Sequence, residues 1–307
     1  MTLINQGSRL NRARGALLGL AVGDAIGTTV EFKPRGSFAP LSDMVGGGPF
    51  DLLPGQWTDD TSMALCLAAS LVEHGFDTHD QMQRYMLWHD EGYMSSNGTC
   101  FDVGSTTSEA LVRFRRTGNP VAGSTQPDSA GNGSIMRLAP VPIYYLETPE
   151  LAIQMSEKQS KMTHRAPECL AACRLLAEAL IRALQGRAKD DVLAPLQQGA
   201  LMSNALMLIA AGKYKTKPES QIKGSGYVVE SLEAAFWCFW HTSNFKDCVL
   251  LAANLGDDAD TTAAVAGQLA GAFYGESGIP ALWLKKLTMT TEIGLLAEQL
   301  VIQKLKS

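Results

Sequence analysis

No two cysteines of this chain stand in a Cys-x-x-Cys pair, and no apolar run approaches the length of a membrane span, about 20 residues. The first absence argues against a zinc knot, the second against an integral membrane protein. Positive charge is scarce too: 26 Lys and Arg against 31 Asp and Glu leave a formal net charge of -5. That balance excludes nucleic-acid binding through a general basic field, so partners must be recognised locally. Strand alternation closed by hairpin dipeptides is missing. So are internal repeats and linker-like shifts of composition, which favours one domain over residues 1–307.

The six cysteines occur in a chain long enough to fold without staples, and Cys66, Cys169, Cys173 and Cys238 lie among apolar or small residues like buried free thiols. A reducing compartment, the cytoplasm, is the expected location. Arg9, Arg12 and Arg14 before Gly15–Val22 imitate a short signal peptide. Asp24 interrupts that apolar stretch and Gly23 and Gly27 flank it, so a first core helix with a basic, solvated end is the better reading.

What the chain has in quantity is helical periodicity. Met63, Leu67 and Leu71 recur at spacings of four over 61–74, and Cys169, Cys173, Leu176, Leu180 and Leu184 form one stripe over 166–185. Segments 193–211, 230–241, 246–254 and 261–274 are rich in Ala and Leu. An all-α domain packed through Ala and Gly contacts is expected. Gly/Ser/Thr-rich segments at 33–58, 92–108 and 117–135, and a Lys/Gly-rich one at 212–227, are long enough to be functional loops.

Two acidic clusters then stand out, Trp57-Thr58-Asp59-Asp60-Thr61-Ser62 and Gly256-Asp257-Asp258-Ala259-Asp260-Thr261-Thr262. Alone, the first is an ordinary capped helix, with Thr58 at the N-cap and Asp59 and Asp60 in the first turn. The second repeats the pattern with Asp258, Asp260 and Thr261. Carboxylates crowded in this way need a counter-charge, and hard divalent cations with oxygen ligands supply one. Together the turns offer side-chain ligands for two octahedral ions completed by water. The spacing is not that of an EF-hand. The absence of His from both clusters points to Mg2+ or Mn2+ rather than Zn2+.

Further motifs run in order from about residue 10 to residue 275. They are Gly15-x3-Gly19-x3-Gly23-Asp24-Ala25-x-Gly27, the first acidic cluster, Cys100-Phe101-Asp102-x-Gly104, Gly131-Asn132-Gly133-Ser134-x-Met136-Arg137, Thr163-His164, Ser225-Gly226-Tyr227-Val228 and the second cluster. On these the chain resembles the ADP-ribosylglycohydrolase family, of the dinitrogenase-reductase-activating glycohydrolase and ADP-ribosylarginine hydrolase type. The resemblance implies an all-α fold with a binuclear Mg2+ or Mn2+ centre in a cleft. Its ligands would be Thr58, Asp59, Asp60, Asp258, Asp260 and Thr261, with Asp257 a bystander where many relatives have glycine.

The implied reaction is hydrolysis of the N-glycosidic bond between ADP-ribose and a modified side chain, classically arginine. Asp102, which by itself reads as an Asx turn before Gly104, would stabilise positive charge at the anomeric carbon. Asp60 would share the catalytic work, and Glu31 would be a gate carboxylate. Gly104, Met136 and the Gly131-Asn132-Gly133-Ser134 turn would bind substrate, the turn offering backbone N–H groups to the diphosphate. His164 would contact substrate, and Tyr227 would stack on adenine. The expected partners are an ADP-ribosylated protein, ADP-ribose as product and a cognate ADP-ribosyltransferase. Two alternatives stay open: serine-linked ADP-ribose or a small ADP-ribose metabolite as substrate, or a module that blocks a transferase.

Overall fold

The computed structural model describes residues 6–197 and 202–303. Among them the chain forms α1 (Gln6–Gly27), α2 (Asp59–His74), α3 (Thr78–Glu91), α4 (Ser105–Thr117), α5 (Pro140–Tyr144), α6 (Pro149–Ser160) and α7 (Pro167–Leu184). There follow α8 (Lys189–Val192), α9 (Asn204–Ala210), α10 (Val228–His241), α11 (Phe245–Ala253), α12 (Ala259–Tyr274), α13 (Ala281–Lys286) and α14 (Thr290–Gln303). The described residues contain isolated β-bridges but no strand. The all-α expectation holds.

Glycine determines how the two central helices meet. Gly15, Gly19, Gly23 and Gly27 leave one face of α1 without side chains. A Cβ added to any of them would stand under 3.0 Å from a backbone carbonyl of α12: Gly271, Gly267, Ala263 and Ala259 in turn. Each step of four forward on α1 is a step of four back on α12, so the pair is antiparallel and backbone meets backbone. Gly267 and Gly271 return the contact onto Gly19 and Gly15. Leu17, Leu18, Leu20, Val265 and Leu269 carry the pair into the main core. Helices α7, α10, α11 and α14 pack around it. A second apolar cluster under α2, α3 and α4 includes Met63, Cys66, Met82, Trp88 and Phe114.

The basic end of α1 is not solvated as expected. Arg14 binds Glu276 at 2.5 Å and Glu298 at 2.8 Å, and Arg12 donates to the Ala272, Phe273 and Ala183 carbonyls. Arg12 thereby caps the C-terminal end of α12, where free carbonyls and the helix dipole favour a cation, while Arg14 is held by two carboxylates. Segment 193–211 also departs from expectation. Only Asn204–Ala210 is helical there, residues 193–197 are turn and extended chain, and 198–201 lie outside the described residues. Pro195 accounts for the break, since it restricts the residue before it and lacks an N–H. All six cysteines are free, and all but Cys100 are buried. No described helix is long and apolar enough to cross a membrane.

Replacing Gly23 by Ala is expected to destabilise the protein by about 3 kcal/mol, because neither backbone can retreat from the added methyl. Urea unfolding of the variant checks this, and a loss of a few tenths of a kcal/mol would contradict the backbone contact.

Candidate metal centre

The close α1–α12 pair brings the C-terminal end of α1 to the N-termini of α12 and α2. Asp24, one turn before the end of α1 and fully buried, caps α2. Its carboxylate accepts from the Thr58 and Thr61 N–H groups at 2.9 and 3.0 Å and from the Thr61 hydroxyl at 2.6 Å. Thr58 holds the N-cap position, but its side chain does not cap. Its hydroxyl instead lies 3.0 Å from Asp24 and 3.3 Å from Asp260. In the sequence Asp24 interrupts an apolar run and belongs to the Gly23-Asp24-Ala25-x-Gly27 motif, but nothing there assigns it a capping role. A lone acid on a Gly/Ala-rich helix was the available signal.

The two acidic clusters meet across the chain. The Thr261 hydroxyl donates to Asp60 at 3.1 Å. Carboxylate oxygens of Asp59, Asp60 and Asp260 lie within 4.8 Å of one another, and so do those of Glu31, Asp102 and Asp260. Asp260 belongs to both groups. Above them opens a cleft of about 700 Å³ lined by Glu31, Asp59, Asp102, Asp257, Asp258 and Asp260 among others, with no Lys or Arg in its described lining. Thr58 and Asp60, both fully buried, lie beneath its floor. The second cluster rests on two left-handed residues, Gly256 at φ 73° and Asp257 at φ 55°.

Burial first, and neighbouring acids second, push the Asp59, Asp60 and Asp260 carboxyls well above their usual range. The same causes raise Glu31 to about 9 and Asp102 to about 7. Burial also raises Asp24, to about 6, against the hydrogen bonds from Thr58 and Thr61. Among the described residues that line the cleft no Lys or Arg offsets this repulsion. One oxygen each of Asp60 and Asp260, Oδ2 and Oδ1, is buried without a hydrogen-bond partner. Unpartnered buried carboxylate oxygens in an all-oxygen set fit a hard divalent cation.

The remaining expected residues fall in different places. Gly104 is the N-cap of α4 and lines the cleft together with Ser105, Thr106 and Thr107, which sequence reasoning did not single out. Met136, Gly131, Gly133 and His164 line it as well. The Asn132 amide donates to Asp258 at 2.6 Å and thus holds a cluster carboxylate. Ser134 is buried behind the wall, its hydroxyl accepting from the Cys173 thiol at 3.4 Å. Tyr227 sits beside the cleft, bridged to Gly131 through the backbone, with its hydroxyl on Glu168 at 2.6 Å.

A model of one known family, ADP-ribosylglycohydrolase, matches residues 5–306. The chain belongs to that family. It is 48% identical over 299 residues to the ADP-ribosylarginine hydrolase Tri1 of Serratia proteamaculans, covering 97% of this chain and 81% of the relative. It is 36% identical to the ADP-ribosyl-(dinitrogen reductase) glycohydrolase of Rhodospirillum rubrum, covering 92% of each. A solved ADP-ribosylglycohydrolase-related protein complex superposes with a TM-score of 0.85 at 42% identity, covering 97% of this chain and 99% of that one.

In this ADP-ribosylglycohydrolase a buried relay fixes the chemistry of His164. Arg137 is fully buried, and among the described residues it has no carboxylate partner. Its guanidinium lies 4.9 Å from the Tyr85 ring centroid and donates to Gln159 Oε1 at 3.1 Å and to Thr163 Oγ1 at 2.7 Å. A guanidinium has no acceptor, so Thr163 Oγ1 accepts from Arg137, and it lies 2.8 Å from His164 Nδ1. A Thr163 hydroxyl that donates to Nδ1 leaves the proton of the neutral ring on Nε2, the tautomer expected here. Burial, helped by the Arg137 charge, lowers its pKa to about 3 and keeps the ring neutral. The imidazole packs where a side chain at Gly133 would stand and lies beside Gly131.

Nitrogen NMR of His164 should show a bare Nδ1 and a protonated Nε2 at neutral pH. Thr163→Val should mix the two tautomers, and a protonated Nδ1 in the unaltered protein would overturn the relay.

The raised carboxyls also dictate how stability responds to pH. Each folded-state value lies above the unfolded one, so the metal-free folded protein binds more protons than the unfolded chain between the two values. Its stability must then fall as pH rises from the ordinary carboxylate range through the values near 7 and 9 reached by Asp102 and Glu31. Mg2+ or Mn2+ should raise the melting temperature more at about pH 8.5 than at about pH 6, because protons compete with the ion. Scanning calorimetry with metal and with EDTA tests this. Equal shifts at both pH values would contradict it.

Proposed function

We propose that this chain is a metal-dependent hydrolase that releases ADP-ribose from modified arginine side chains of proteins. The observation that carries the proposal is the pair of carboxylate groups joined through Asp260, with unpartnered buried oxygens on Asp60 and Asp260. The relatives named ADP-ribosylarginine hydrolase, nearly half identical across almost the whole chain, support the choice of substrate.

Thr58, Asp59, Asp60, Asp258, Asp260 and Thr261 would hold two ions, Mg2+ or Mn2+, with Asp260 common to both. Glu31, whose carboxylate lies in one group with Asp102 and Asp260, would close that group from the cleft side. When bound, two such ions supply Lewis acidity and grip on ribose hydroxyls. Asn132 orients Asp258, and Asp24 fixes the start of α2 on which Asp59 and Asp60 stand.

Asp102 faces the same space, where its carboxylate would stabilise positive charge on the anomeric carbon as the bond to the guanidinium nitrogen lengthens. The hydroxyls and free N–H groups at the start of α4, with His164 Nε2–H opposite, provide donors for a diphosphate. Gly104, Gly131, Gly133 and Met136 would line its path, and Tyr227 stands at the end where adenine would stack. We take residues 1–307 as one domain, supported by a main core that draws on helices from α1 to α14. Its setting would be the cytoplasm, and its partners an ADP-ribosylated protein and the transferase that modifies it.

The test is release of free ADP-ribose from arginine-linked and serine-linked peptides, with Mg2+ or Mn2+ and with EDTA. Metal-dependent release from arginine alone is expected, and release from serine alone would overturn the substrate. Asp260→Ala should abolish turnover together with metal-induced stabilisation. Asp102→Ala should lower turnover about a hundredfold while metal still stabilises the protein. Loss of that stabilisation as well would move Asp102 among the ligands.

A further inference from the structure

Phe32 lines the cleft, and Phe50 and Phe101 stack in a row beside it, outside both apolar clusters. Phe32 follows Glu31 in sequence, and Phe101 precedes Asp102. Phe50 lies between them: its ring centroid is 6.5 Å from that of Phe32, edge to face, and 5.1 Å from that of Phe101. The rings thus form a row linking the two carboxylates that face each other in the cleft.

Phe32 is the telling member. It lines the cleft, is 66% exposed, and has a φ of 62°. A bulky side chain in the left-handed region is a strained outlier that persists only where its surroundings impose it. Burial does not compensate, because most of the ring faces solvent. Two backbone bonds impose it: the Phe32 N–H donates to the Asp257 carbonyl at 2.7 Å, and the Asp257 N–H donates to Lys33 O at 2.9 Å. The loop that carries Asp258 and Asp260 therefore aims the Phe32 ring over the opening.

The chemistry of the opening selects its occupant. The described lining holds no Lys or Arg, and Asp102 and Asp257 stand outside the proposed ligand set, so a cationic group meets negative charge there. A guanidinium is planar, weakly hydrated and stacks on aromatic faces, whereas a serine linkage offers neither charge nor plane. We propose that Phe32, backed by Phe50 and Phe101, is an aromatic collar that stacks on the guanidinium of the ADP-ribosylated arginine and selects that linkage. This rests on the arginine reading proposed above.

The test uses Phe32→Asn in the metal-loaded enzyme, since Asn tolerates the left-handed conformation that strains Phe. The kcat/KM on an arginine-ADP-ribosylated peptide is expected to fall about tenfold, mostly through KM. Inhibition by free ADP-ribose should be unchanged, and the melting temperature equal or higher. Phe32→Leu keeps apolar bulk without the ring and should lose as much. A Phe32→Asn enzyme with wild-type KM on the arginine peptide overturns the collar. So does a parallel loss of ADP-ribose affinity, which would put the ring in the nucleotide site. Failure of the arginine reading shows separately, in a wild-type enzyme that releases nothing from the arginine peptide.

Discussion

The backbone contact between α1 and α12 is the constraint on which the rest of the structure depends. Gly15, Gly19, Gly23 and Gly27 let two helices approach with no side chain between them. That separation is set by hard contact of backbone atoms, which yield far less than interdigitated side chains do. The C-terminal end of α1 is therefore placed firmly against the first turn of α12. Asp24 then reaches the first turn of α2 from the same helix. One small-residue interface thereby fixes the relative positions of two acidic turns far apart in sequence, Thr261 and Asp60 being separated by 201 residues. Arg12 and Arg14 secure the far end of the same pair.

What this rigidity holds in place is repulsion. Asp24, Glu31, Asp59, Asp60, Asp102, Asp258 and Asp260 all have carboxyls raised by burial, and like charge adds to it at most of them. A softer scaffold would relax by letting the turns part or admitting water. Here Asp24 is occupied in capping α2, and Asp258 is held by Asn132, so relaxation through them breaks hydrogen bonds that the helix starts need. The remaining ways to neutralise the cluster are protons and cations. Stability is given up to preorganise a site, as expected where binding groups are fixed before the ligand arrives.

Much of this was legible in the sequence, but unevenly. The acidic turns could be read because Thr58 and Asp258 begin helices whose apolar stripes are clear, and their oxygen-only chemistry survives in the fold. Asp24 could not: its function depends on α2 lying across the end of α1, a tertiary fact that periodicity does not carry. Arg12 and Arg14 misled for the same reason, since charged residues at a helix start look solvated until α12 and α14 arrive beside them. Helix α3 was invisible because its inward face includes Gln81, Arg84 and Tyr85, a stripe that is not apolar. In 193–211 composition outweighed Pro195, and the proline prevailed. The Gly131–Ser134 turn reads in sequence as a source of backbone N–H groups; the fold adds that Gly133 lacks a side chain because the His164 ring occupies that space.

The strained residues complete the picture. Among the described residues the non-glycine ones with positive φ are Phe32, Asp51, Met94, Asp102, Asp257 and Met289, and three of these line the cleft. Asp adopts the left-handed region at little cost and Phe does not, so the three are not equivalent. Asp102 and Asp257 can be explained as turn residues that also carry charge. Phe32 has no such account, yet it is tied by backbone bonds to Asp257, the one exposed acid of the second cluster. A chain that only had to close this loop would place Gly or Asn there. The aromatic ring at that position makes sense as a contact for something that enters the cleft, and its backbone bonds to the Asp257 turn join the ring's segment to the acidic loop.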